Sequence, residues 1–346
     1  MVNEYASWDI TELLKKWYIE GTQNKTVSLQ MVSGTCGKTN CGCARFVAFG
    51  ENGAPMVAVS YRNTVGTEPY YTYQSMGVGD AGTAYIADAT GQLKVVNPLI
   101  TYASTVNPFS LSLVYSSDYF AGNGALYYQP VIRKGTENIV MKAGHGWTLD
   151  IVQTMHTEML GETLYLCYSD GDDTHHYFAK DDKRNSEDNS DKEFYYDEDG
   201  LGLKAEITNE EQTSFIMYDD NGNKWTFTNN RLTKIADEVG NSYIITWNSS
   251  NQITHVMQFN AGSASPVRVA EFTYSEGYVS SITDAAGNVY SFTYTNERLV
   301  GISRNGQQIA EYYYPGNQNR ISSMKDIKIE IEGDMRGFKA IVSDQK

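Results

Sequence analysis

The sequence predicts a mainly β protein built from a long run of antiparallel hairpins. Three observations carry this. Tyrosine outnumbers phenylalanine 26 to 12, and tyrosine suits half-buried β surfaces, where the ring packs and the hydroxyl reaches water. Short apolar runs alternate with polar residues at period two. Gly, Asn and Asp clusters punctuate those runs at the spacing of hairpin turns.

The 346 residues are enough for two domains, and 41% of them are apolar. A net charge of −15 argues against a nucleic-acid partner, because phosphate binding needs a basic footprint. The start "MVNEYASWDITELL" is acidic and lacks the apolar stretch of a signal peptide. No window of 18 apolar residues predicts a membrane span.

In chain order, "SWDITELLKKWYIEG" predicts one helix, with Ser7 and Asp9 as caps, Gly21 as stop, and Ile10, Leu13, Leu14, Trp17 and Tyr18 at helical spacing. Strands follow in "KTVSLQMV", "RFVAFG" and "PMVAVSYR". Between them "CGKTNCGC" holds Cys36, Cys41 and Cys43; the fourth cysteine is Cys167. Three readings stand for the loop: zinc, without the usual CxxC spacing; a disulfide among Cys36, Cys41 and Cys43; or free thiols. Further strands are "TAYIADATGQLKVV", "FSLSLVYSS", "GWTLDIVQTM" and the hairpin "ETLYLCYSDGDDTHHYF" around Asp170-Gly171. "AKDDKRNSEDNSDKE", 179–193, has no apolar residue beyond Ala179 and predicts an exposed, mobile hairpin loop.

The C-terminal half repeats. Gly222 to Gly240 is 18 residues and Gly287 to Gly306 is 19. Each unit runs from a Gly-Asn or Asn-Gly turn into an alternating strand, then a short return strand. Trp225 and Phe227 share a face, as do Tyr243, Ile245 and Trp247, and Tyr290, Phe292 and Tyr294. Such hairpins are too small to bury their own faces and must stack. Hairpins are expected at Gly171, Gly222, Gly240 and Gly287 within one continuous sheet from about residue 80.

Acidic turns raise the question of metal. In "YYDEDGLGLKAEI", Asp197 and Asp199 stand at i and i+2, but Leu201 and Leu203 end the ligand pattern, so turn chemistry explains them better than calcium. "DDNGN" (219–223) and "DGDD" (170–173) end the same way. His175 and His176 cannot both ligate one ion from one side of a strand. Gly77, Gly79 and Gly82 spell GxGxxG, but "TAYIADATGQLKVV" follows as strand, turn, strand, so the nucleotide fingerprint lacks its helix. No hydrolase, zinc-protease or kinase signature occurs; no catalytic set and no cofactor are implied.

The stretches "ADEVGNSYIITW", "TDAAGNVYSFTY" and "YYDEDGLGLKAEI" resemble the YD repeat of the Rhs family. "NPFSLSLVYSS", "GHGWTLDIVQTM" and "YSDGDDTHHYF" stand in the order that family uses before its repeats. "WDITELLKKWYIEG" with the strands after it resembles the later part of a DNRLRE domain, whose relatives are β-sandwiches, some of them carbohydrate-binding.

The resemblance implies a partial sandwich over 1–75, the lead-in to an Rhs-type shell over 76–195, YD-like hairpins over 196–315 and a charged edge strand or tail over 316–346. It implies a non-enzymatic structural or interaction protein, secreted or on the cell surface. Its partners would be the rest of a longer polypeptide or a toxin cargo. The Asp-Pro self-cleavage motif of the family is absent, since the seven prolines follow other residues. The chain reads as an internal piece of a longer protein or a truncated product.

With few repeats, the sheet is expected not to close: it either self-associates through an edge or curls on itself and leaves its concave face open. Ile327, Ile329 and Ile331 alternate with charge in what reads as a guarded edge strand, implying a monomer or weak dimer. The alternative function is a carbohydrate-binding module that stacks sugars on Trp8, Trp17, Tyr70, Tyr71 and Tyr73.

Overall fold

A computed structural model describes residues 72–88, 91–103, 108–117, 142–160, 163–172, 174–187, 192–316 and 319–326, and the backbone of two last strands, Ile329–Asp334 and Gly337–Val342. The chain divides into units 1–60 and 61–346, and all described residues lie in the second. The predicted helix, Trp8, Trp17, Cys36, Cys41, Cys43, Tyr70 and Tyr71 lie outside the described residues.

The fold is mainly β. The first sheet is an antiparallel meander of β1 (Tyr73–Gly77), β2 (Thr83–Ala87), β3 (Leu93–Tyr102), β4 (Phe109–Ser116) and β5 (Trp147–Leu149). The second opens with β6 (Thr154–Leu160), β7 (Thr163–Ser169) and β8 (His175–Lys180). After a short helix, α1 (Asp182–Glu187), come β9 (Tyr195–Asp197), β10 (Lys204–Ile207), β11 (Phe215–Tyr218), β12 (Lys224–Thr228) and β13 (Arg231–Ala236). It continues through β14 (Ser242–Trp247), β15 (Ile253–Phe259), β16 (Val267–Ser275), β17 (Tyr278–Asp284), β18 (Val289–Thr295), β19 (Arg298–Arg304), β20 (Gln307–Tyr313), β21 (Ser323–Asp326), β22 (Ile329–Asp334) and β23 (Gly337–Val342).

Turns stand at Gly171, Gly222, Gly240 and Gly287 as expected. The strands nevertheless make two sheets, not one. Chain direction reverses at Asp150–Gln153, where Val152 N–H donates to Leu149 O. The Asp150 carboxylate is tied back to the Ser112 N–H at 2.9 Å. That turn sends β6 out of the first sheet.

The second sheet closes. Arg231 of β13 pairs with Thr154 of β6, Met155 N–H donates to Asn230 O at 3.1 Å, and Leu232 N–H donates to Gln153 O at 3.0 Å. Strands β6–β13 thereby form an eight-stranded ring, and the ribbon runs on from β13. The expectation of too few strands to close is corrected. Twist accumulates from strand to strand, and β-bulges at Thr226/Phe227, Thr246/Trp247 and Thr273/Tyr274 bend the ribbon further. About eight strands suffice for a small closed barrel.

The concave face is filled, which corrects the expectation of an open one. Phe227, Tyr243, Ile245, Tyr290 and Phe292 are buried in one core with Leu111, Tyr115 and Trp147 of the first sheet. Phe109 and Tyr243 meet with ring centroids 5.3 Å apart.

Two local expectations are refined. The 179–193 segment is exposed as expected at Asp182, Lys183, Arg184, Ser186, Lys192 and Glu193, and it contains the short helix α1, which the Asp181 carboxylate caps by accepting the N–H groups of Lys183 and Arg184. Asn185 of α1 then binds both the N–H and the carbonyl of Phe194 at 2.9 Å. At the other end, β22 pairs with β21 on one side and β23 on the other. The strand carrying Ile329 and Ile331 is therefore interior, not an edge.

Four of the repeat strands share one tertiary device. Trp247 Nε1 donates to Leu232 O, Tyr274 OH to Ile253 O, Tyr294 OH to Val279 O and Tyr314 OH to Leu299 O, at 2.7–3.0 Å. In each, an aromatic within one residue of the end of one strand satisfies the carbonyl of the first aliphatic residue of the strand before it. The β17–β18 ladder stops at Ser281–Ser291, so Val279 lies where the strands have parted. The aromatic fills that gap and supplies the missing donor. Tyr294→Phe is expected to lower stability by about 1–2 kcal/mol through the orphaned carbonyl. An unchanged urea midpoint would show that the bond contributes nothing.

Candidate functional site

The acidic turns are built alike. The side-chain oxygens of Asp219, Asp237, Asn248 and Asp284 accept the backbone N–H four residues on. For Asp219 and Asp284 the N–H two residues on also donates, and the following Asn amide closes the ring. Burial opposes ionisation of Asp219, but these donors outweigh it and hold the carboxyl below its ordinary range.

Asp197 and Asp199, the weak metal candidates from the sequence, sit in a variant of this turn and part company there. Asp197 accepts Leu201 N–H at 2.7 Å and Leu203 N–H at 3.1 Å. Asp199 turns to the imidazole of His176, with Oδ2 3.1 Å from Nδ1. Tyr73, the one described glycan-stacking candidate, is half-buried on β1 with its ring edge-on to Tyr85 at 6.3 Å.

His176 is the centre of a buried polar cluster. Its side chain is 2% exposed and lies between two carboxylates, with Asp170 Oδ2 3.5 Å from Nε2 and Asp199 opposite. The imidazole stacks on Tyr168 at 5.6 Å. His175 points to the other face and meets Tyr177, as strand alternation requires. Asp170 Oδ1 also accepts the N–H groups of Asp172 and Thr174, and buried Lys94 of β3 donates its ammonium to the Asp172 carbonyl. Gly171 rests on the Asp150 carbonyl so closely that a Cβ would stand 2.5 Å from that oxygen. The cluster joins both sheets at the β7–β8 turn. An imidazole gripped this way fixes the geometry of the turn, and at 2% exposure it presents no face to a substrate.

Burial pushes the Asp170 carboxyl up to about 7, with Asp172 adding to the rise and His176 opposing it. Burial likewise raises Asp150 to about 6, against the Ser112 N–H. A carboxyl raised in the fold binds more protons folded than unfolded between pH 4 and 7. Its contribution is therefore greatest at the acid end of that window and is lost as pH rises through it. Asp170→Asn keeps the turn acceptor and removes the titration. Relative to the parent, it is expected to gain on the order of 1–3 kcal/mol between pH 5 and pH 8. Parallel urea-stability profiles for parent and variant over that range would refute the assignment.

A second cluster lies on the face of β6 and β7 away from the core. His156 stands directly opposite Cys167 in the antiparallel register, and Glu158 is two residues along on the same face. One ligand atom from each lies within 4.8 Å of the others. Neither cluster is stated by sequence spacing alone. The second follows from hairpin arithmetic, since the Leu160–Thr163 pair also aligns 156 with 167. The first depends on a turn 23 residues away.

No protein-family model matches the chain, and no curated protein matches it. Among solved structures it is similar to a TcdB2-TccC3-Cdc42 crystal structure, at 13% identity and a TM-score of 0.27. The similarity covers 77% of this chain and 13% of that one, so the chain spans about an eighth of its length. No helix among the described residues is long and apolar enough to cross a membrane.

Proposed function

We propose that this chain is a structural segment of an Rhs/YD-repeat shell, without catalytic activity, from a longer secreted or cell-surface polypeptide. The observation that supports it most is the coiled ribbon itself. Hairpins close a ring of eight strands and then continue, with four of the repeat strands locked to the strand before them by an aromatic donor, Trp247, Tyr274, Tyr294 or Tyr314. Closed β ribbons remove the strand edges that would otherwise recruit other chains. The first sheet fills the interior of this segment. Toxin cargo would then be enclosed by further turns of the ribbon, not by these strands. The same reading makes the isolated chain a monomer or weak dimer.

The test is to extend the chain into its flanking coding sequence. Further hairpin repeats, with a downstream domain that resists protease until the shell is unfolded, would support the proposal. A flanking sequence without repeats, or a large assembly formed by the isolated chain in light scattering at micromolar concentration, would overturn it. Retention on a glycan array that is lost in Tyr73→Ala would favour the carbohydrate-binding alternative.

A further inference from the structure

The β6–β7 hairpin carries an unusual face. Met155, Leu166 and Tyr168 point to the core, while His156, Glu158 and Cys167 point the other way. His156 is 6% and Cys167 1% exposed, yet the Cys167 side chain lies outside the apolar core cluster. The thiol is not in a disulfide. An imidazole, a carboxylate and a thiol, all within 4.8 Å of one another, are one nitrogen, one oxygen and one sulfur donor. A borderline-soft ion such as Zn²⁺ takes such a mixed set; Ca²⁺ and Mg²⁺, which take oxygen donors, do not. Tetrahedral zinc with bonds of about 2.0–2.3 Å puts its ligand atoms roughly 3.5 Å apart. Side-chain rotation on two adjacent strands can close the remaining gap without moving the backbone, because directly opposed residues have Cβ atoms only about 5 Å apart.

We propose that His156, Glu158 and Cys167 bind one zinc-class divalent ion, with the thiol proton released to solvent and a fourth position left for water. His156 stands two residues from Thr154, which makes the closing pair with Arg231. The ion would therefore staple the closing strand of the ring to its neighbour. The site is independent of the Rhs-type reading.

The experiment uses the full chain, stripped of metal and carrying Cys36→Ser, Cys41→Ser and Cys43→Ser, so that Cys167 is the sole thiol. Titration with Co²⁺ should produce a thiolate-to-cobalt charge-transfer band that saturates at one equivalent and is displaced by Zn²⁺. Zn²⁺ should also raise the unfolding temperature. Glu158→Gln, at a half-buried position, should weaken binding about tenfold or more while leaving the circular dichroism unchanged. Cys167→Ser should abolish the band. A folded parent with no charge-transfer band at saturating Co²⁺ overturns the site without any change to its ligands. A band unaltered by Glu158→Gln and by His156→Ala overturns it equally.

Discussion

Trp147→Ala is expected to lower the unfolding free energy by about 3–5 kcal/mol, the range for removing a large aromatic from a packed core. Trp147 is 0% exposed. Its ring packs between Tyr115, at 5.3 Å, and Tyr312, at 4.7 Å. Its Nε1 donates to the Tyr314 hydroxyl at 3.0 Å, and that hydroxyl donates onward to Leu299 O. The substitution thus opens a cavity between the sheets and removes the donor that orients one of the repeat-locking tyrosines. Approach to the ring is so close that Gly146, at φ +77°, could not carry a Cβ without meeting the Tyr115 ring at 2.7 Å. Trp147→Phe keeps most of the packing and loses the donor, so about 1–2 kcal/mol is expected. Urea denaturation of both variants measures this. A loss below about 1 kcal/mol for the alanine variant would mean that the sheets are not held together here.

Gly82→Ala is expected to cost about 3 kcal/mol or more. Gly82 sits at φ +99° and ψ −164°, a region essentially reserved for glycine. A Cβ there would stand 2.5 Å from Val96 O and 2.9 Å from Asn97 Cα, both backbone atoms of β3. The chain cannot relieve the clash by rotating a side chain; β3 itself must move. That motion strikes fully buried Asn97, whose amide donates to Asp80 O at 2.9 Å and to the Tyr312 hydroxyl at 2.8 Å. Tyr312 in turn donates to Ala81 O at 3.1 Å. Strain at one glycine would therefore break a polar link between the sheets. Gly91, at φ +69° with nothing within 4 Å of its Cβ position, is the control, and its alanine variant should cost about 1 kcal/mol. Equal losses at the two positions in thermal or urea unfolding would show that backbone crowding is not the cause.

Much of this protein was legible as sequence. Period-two alternation and Asn/Asp-Gly turns determine the strands, the hairpins at Gly171, Gly222, Gly240 and Gly287, and the faces shared by Tyr243, Ile245 and Trp247 or by Tyr290, Phe292 and Tyr294. These features rest on pleat geometry and on side-chain bonds spanning four residues, such as Asp284 to Asn288. The opposite faces of His175 and His176 followed from the same local rule. Only the tertiary structure decided that the strands divide into two sheets, that β13 returns to β6, and that the first sheet fills the coil. Only it could bring Asp170 and Asp199 to the two sides of His176. Those outcomes depend on accumulated twist, on bulges that no single residue announces, and on contacts such as Asn97–Tyr312, whose partners lie 215 positions apart. Alternation says which side of a strand is apolar. It cannot say which distant strand will cover that side, because every apolar face in the chain offers a similar gain on burial.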